Sequence, residues 1–123
     1  MDKILNLGRW IFPLSFLTYV GLHLAKPAMG ADFVPDFLPF PFFWNYFTGA
    51  CILAFIISAV IGKYDKLAYT LMALYVLLAA ILVHAPRAGE NEMEMVNVFR
   101  NIMVTGALMG FAKYVARDNR IIG

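Results

Sequence analysis

Apolar residues fall in four long runs, at positions 4–25, 42–61, 67–85 and 98–116. Short stretches rich in charge, proline or glycine separate them. Each run is near the ~20 residues that a helix rising about 1.5 Å per residue needs to cross a hydrocarbon core of ~30 Å. The second run carries no charged residue, and the third only the titratable ring of His84. Arg100 and Lys113 stand near the two ends of the fourth. A chain in lipid must satisfy its own backbone polar groups, so each run predicts a helix. The expected architecture is an all-α membrane protein: one transmembrane domain over residues 1–123, folded as a four-transmembrane-helix bundle.

The separators sharpen this picture. Residues 26–41 hold Pro27, Gly30, Pro35, Pro39 and Pro41, a density that forbids a continuous helix. The same stretch and its edge carry Phe33, Val34, Phe37, Leu38, Phe40, Phe42 and Phe43. A Pro/Phe-rich interfacial or re-entrant loop between helices 1 and 2 is expected, with Trp44 and Tyr46 completing an aromatic belt. Gly62-Lys63-Tyr64-Asp65-Lys66 reads as a tight polar turn. Residues 86–97 read as a longer acidic loop containing Glu90, Glu92 and Glu94, and residues 117–123 as a polar, basic tail.

Composition agrees. Hydrophobic residues are 62% and charged residues 15% of the 123, with a mean hydropathy of +0.72. A water-soluble fold of this size could not bury so much apolar surface. The net charge of +2 and the lack of a basic patch exclude nucleic acid as a partner. The single cysteine, Cys51, excludes an internal disulfide framework, and its apolar mid-helix setting predicts a buried, inert thiol.

Lysine and arginine set the orientation. With the N-terminus inside, Lys3, Arg9, Lys63, Lys66, Lys113, Arg117 and Arg120 are cytoplasmic, and only Lys26, Arg87 and Arg100 are outside. Both termini are then cytoplasmic, in a bacterial inner membrane. The N-terminal run followed by Ala28-Met29-Gly30-Ala31 also resembles a cleavable signal peptide, but His23 and Lys26 so late in the run weigh against that reading.

Polar residues in lipid are expensive, and here they gather at one end. His23 and His84 close helices 1 and 3 on the outer side; Asn45 opens helix 2; Asn97, Arg100 and Asn101 open helix 4; Lys26 and Arg87 border them. The inner half offers chiefly Ser58 and Thr70. His23, His84, Asn45, Arg100 and Asn101 are therefore candidate ligands for a polar headgroup such as a quinone carbonyl or a small oxyanion. Histidine could also move protons near neutral pH. The competing reading is that helix ends meet the interface anyway and Arg100 simply snorkels. Haem ligation by His23 and His84 is disfavoured, because both lie too close to the membrane surface to cover a haem. No metal site and no catalytic residue can be named. Gly106 and Gly110 form a GxxxG pattern suited to helix packing, inside the bundle or between copies. Ion transport is disfavoured by the uncharged spans of helices 2 and 3.

Several stretches together resemble the DoxX/DoxD-like membrane proteins. Arg9 opens helix 1, which ends in Gly21-Leu22-His23-Leu24-Ala25-Lys26; Val34-Pro35 and Pro39-Phe40-Pro41 are similar to the family's first loop. Phe47-Thr48-Gly49-Ala50, Leu82-Val83-His84-Ala85-Pro86 and Phe99-Arg100-Asn101-Ile102 with Gly106 are similar to parts of helices 2, 3 and 4. The chain departs from many relatives in lacking a glutamate near Cys51 or Ile52. The resemblance implies a membrane subunit of a redox system handling a quinone or a sulfur compound. The alternative is a non-catalytic accessory subunit that stabilises a larger membrane complex. Both readings imply other membrane protein subunits as partners.

Overall fold

The computed structural model of the protein describes residues 1–122, and among these it is helical with no strand. Seven α-helices follow in order: α1 Asp2–Leu5, α2 Gly8–Ser15, α3 Leu17–Ala25, α4 Pro27–Asp32, α5 Pro41–Ile61, α6 Asp65–Ala79 and α7 Glu92–Tyr114. A π-turn, Ala80–His84, and a 3₁₀ turn, Ala85–Arg87, continue α6. Three helical stretches are long and apolar enough to cross a membrane: Pro41–Ile61, Asp65–Arg87 and Glu92–Tyr114. The contacts fall into two compact units, one ending at Lys63 and one beginning at Tyr64.

In the first unit the expected first helix is divided. Pro13 lies inside α2 and has no N–H to give to the carbonyl one turn back. At Phe16 the ladder tightens, with the Phe16 N–H on Pro13 O at 3.2 Å and the Tyr19 N–H on Phe16 O at 3.0 Å. The apolar run thus becomes α1, α2 and α3 instead of one rod over residues 4–25. The buried Pro13, Phe16 and Val20 lie on this segment, and α5 buries Ile52, Phe55, Ile56 and Ala59 at helical spacing. The Phe16 ring meets Phe55 edge-on at 5.1 Å. The proline-dense stretch is no continuous helix, but it holds the six-residue α4, with Pro27 at its first turn where no N–H is needed. The chain enters α5 through Phe40, whose φ of 58° is left-handed. It leaves α5 through Gly62, whose φ of 73° suits a glycine cap.

In the second unit α6 packs along α7, with Tyr69 and Phe111 at 5.5 Å. Helix α7 begins six residues before the expected position 98, so the acidic loop shrinks to a short turn. Asn91 caps it by accepting from the Met93 N–H at 2.9 Å, and Glu92 and Glu94 favour the positive end of the helix dipole. Helix α7 is inverted relative to a soluble helix. Its buried face carries Glu94, Asn101 and Thr105 beside Leu108 and Ala112. Met95, Val96, Phe99, Ile102, Met103 and Met109 are exposed. Polar atoms turned inward and apolar side chains outward is the arrangement that lipid rewards.

The tail is bolted to the start of α6. Asp65, only 2% exposed, accepts from the Arg117 N–H at 2.9 Å and the Asp118 N–H at 2.8 Å. Asp118 in turn accepts from the Tyr64 N–H at 2.7 Å and from the Arg120 guanidinium at 2.9 Å. The Arg120 hydrogen bond, helped by the Tyr64 and Arg120 amides, holds the Asp118 carboxyl far below its ordinary value of 3.8. A carboxyl depressed in the folded state stabilises it above the unfolded pKa, and that contribution fades as pH falls through the folded value. Carbon-detected titration of Asp118 is therefore expected to give a midpoint well below 3.8, with the tail loosening only in strong acid. A midpoint at the ordinary value would show that the Asp118 contacts do not form.

Candidate functional site

The π-turn sets the geometry of the main polar cluster. Pro86 has no N–H, and its ring would crowd the carbonyl four residues back, at Leu82. The helix answers by widening: the Ala85 N–H reaches Ala80 O, five residues back. The helix thus continues to Arg87 instead of stopping at residue 85. Such π-turns often accompany functional sites.

The widened turn places His84 against α7. Its Nδ1–H donates to Glu94 Oε2 at 2.8 Å, and the two side chains are only 11% and 10% exposed. The Asn97 amide donates to Glu94 Oε1 at 3.1 Å. Both carboxylate oxygens are thereby engaged, and a proton on Nδ1 sets the ring tautomer. Arg87 acts on the same carboxylate through its charge. The result is a half-sheltered histidine–carboxylate pair, held on two rigid helices near the end of each.

Arg100 and Asn101 do not join that group. Asn101 donates to Val76 O at 3.3 Å and accepts from Arg100 Nη2 at 3.2 Å. Thr105 donates to Asn101 O at 2.7 Å, so Asn101 is a buried polar bridge between α6 and α7.

His23 and Asn45 form a separate arrangement in the first unit. His23 Nδ1–H donates to Tyr19 O at 2.6 Å, and the buried Asn45 amide donates to His23 O at 2.9 Å. Gly49 lets α5 approach here: a Cβ on it would lie 3.0 Å from the His23 Cβ. Among the described residues Asn45 Oδ1 is buried without a hydrogen-bond partner and faces Gly30, where a Cβ would stand 1.8 Å away. Gly30→Ala must push Asn45 out and break its bond to His23. The expected cost is about 2 kcal/mol, the scale of a buried amide left unsatisfied. Unfolding in a denaturing detergent measures it, and an unchanged midpoint would mean that Asn45 is not fixed by Gly30. Lys26 borders this group as the cap residue between α3 and α4.

A Cβ on Gly106 or Gly110 would meet no atom of the described residues within 4 Å. One expectation is corrected. Cys51 is exposed on α5, not buried. The sequence reading missed Glu94 and Asp65. Glu94 was recognisable: Asn91 followed three residues later by a glutamate is a helix-start signature. Asp65 gave no such signal.

Comparisons with protein-family models, with curated proteins and with solved structures found no match.

Proposed function

We propose that this chain is a DoxX-like integral membrane subunit of a redox system, and that the His84–Glu94 pair receives the headgroup of a quinone at the outer face. The observation that carries the reading is the sheltered pair itself, with His84 Nδ1 at 2.8 Å from Glu94. A carboxylate costs much beside lipid, so a sheltered ionisable pair at the end of two spanning helices is a candidate functional site. Glu94 repels an oxyanion, so a neutral carbonyl is favoured over a sulfur anion. Histidine supplies a hydrogen bond to that carbonyl.

In this reading the protein crosses the bacterial inner membrane four times. Helices α2 and α3 together supply the first crossing: residues 8–25 rise about 27 Å, close to a hydrocarbon core. The excess of Lys and Arg then holds both termini in the cytoplasm. Titrating a short-chain ubiquinone analogue into the protein in nanodiscs tests the site. Saturable binding, weakened about ten-fold in His84→Ala by the loss of one hydrogen bond, is expected. Equal binding by wild type and variant would contradict it.

A second reading, an accessory subunit without chemistry, is favoured by the small-residue pattern of Gly106 and Gly110 on α7, which suits helix packing. It predicts no quinone binding and co-purification with larger membrane subunits.

A further inference from the structure

Asn45 is only 2% exposed, yet half of its amide is left unsatisfied. Nδ2 donates to His23 O at 2.9 Å, which serves one of the carbonyls left over at the end of α3. Oδ1 has no hydrogen-bond partner among the described residues. Turning the amide over gives no remedy, because two acceptor oxygens would then face each other at His23 O. The backbone of α4 is what covers Oδ1, so closely that a Cβ on Gly30 would stand 1.8 Å from it. A Cα–H contact from Gly30 offsets only part of the loss, being weaker than an N–H bond. With α4 in place the oxygen is cut off from water at a cost. With α4 displaced, water restores a bond to it.

Little packing holds α4 down. Its six residues, Pro27-Ala28-Met29-Gly30-Ala31-Asp32, include two alanines and a glycine, and none of the six is buried. A helix of that length is marginal by itself. The Gly30 N–H reaches Lys26 O at 3.3 Å and the Phe33 N–H reaches Gly30 O at 3.1 Å, so these bonds stay within the segment. Both ends suit a joint. Lys26, with φ −130° and ψ 64°, is the one non-helical residue between α3 and α4. On the far side the chain passes Pro35 and Pro39 to Phe40, whose left-handed φ of 58° is costly for so large a side chain. One short segment thus carries two costs in its closed position, the orphaned oxygen beneath it and the left-handed Phe40 at its exit.

We infer that α4 is a hinged lid over Asn45, which swings on Lys26 and on residues 33–40 and opens Asn45 Oδ1 to water. The lid involves residues of the first unit alone. It stands whether or not the His84–Glu94 pair binds a quinone.

Hydrogen–deuterium exchange of the full chain in nanodiscs tests it, read at the hydrogen-bonded amides of Gly30, Phe33 and Val34. The bonded amides of Lys26 and Trp44, which flank the segment, are the reference. In the wild type the lid amides should exchange about ten-fold faster than the reference pair, each corrected for its intrinsic rate. Asn45→Ala removes the orphaned oxygen without adding bulk, so the closed position loses its penalty. Exchange in α4 should then slow about ten-fold, while Lys26 does not slow, because His23 O has lost its donor. If Asn45 were only a clamp, the same variant would speed exchange in α3 and α4 together. Equal or faster α4 exchange in Asn45→Ala would overturn the lid. So would wild-type lid amides as protected as Lys26 and Trp44, a comparison that holds even if the variant fails to fold.

Discussion

Asp65→Ala is expected to release the C-terminal tail and destabilise the second unit by about 3 kcal/mol, the loss of charge-assisted bonds to two backbone amides. Those bonds run from the Arg117 and Asp118 N–H groups at 2.9 and 2.8 Å to a carboxylate that is 2% exposed. The ion pair to Arg117 adds little, since Nε is 3.8 Å away and the arginine is partly in water. Trypsin gives a direct readout, because its sites at Arg117 and Arg120 lie in the bolted segment. Wild type should resist cleavage there and Asp65→Ala should be cut rapidly. Asp65→Asn should fall between them, since the amide oxygen still accepts one bond. Equal cleavage of wild type and Asp65→Ala would show that the bolt does not hold the tail.

Breaking the His84–Glu94 pair from one side is the second large effect. His84→Ala takes away one hydrogen-bond partner of the sheltered Glu94 carboxylate and leaves it Asn97 and the charge of Arg87, at an expected cost of about 3 kcal/mol. The double variant His84→Leu, Glu94→Leu removes both polar groups and replaces them with apolar surface. It should recover most of the lost stability, because a sheltered pair repays little more than its own desolvation. Stability in a denaturing detergent measures both. A double variant as unstable as the single would mean that the pair itself holds α6 against α7. The quinone response separates the two roles, since the stable double variant should still fail to bind.

The long apolar runs were readable because lipid demands about 20 residues of one character. Helix α5 starts at Pro41, one residue before the expected 42, and α6 at Asp65, two before 67. The first run misled because hydropathy is blind to backbone geometry: Pro13 is apolar enough to extend the run, yet it removes a helix hydrogen bond. The start of α7 misled in the opposite way. Glu92 and Glu94 lower the local hydropathy, but acids are favourable in a first turn. The candidate site was legible in part. His84 stood out as a polar residue in an apolar run, but its partner depends on the π-turn at Ala80–His84, which no periodicity reveals. Arg100 and Asn101 stood out as polar residues in an apolar run, yet Arg100 bonds to Asn101 and Asn101 to Val76, not to His84. Asp65 looked like any turn acid, since its value lies in contacts with Arg117 and Asp118 more than fifty residues away.

Topology is the claim on which the rest depends, and cysteine accessibility in intact cells tests it most directly. With Cys51 replaced by serine, single cysteines go in at Asp36, Lys63, Ala88 and Asn119. A membrane-impermeant maleimide is then added before and after permeabilisation. Four crossings with both ends inside predict labelling of positions 36 and 88 from outside, and of 63 and 119 only once the membrane is opened. Labelling of position 63 or 119 in intact cells, or protection of position 88, would contradict it.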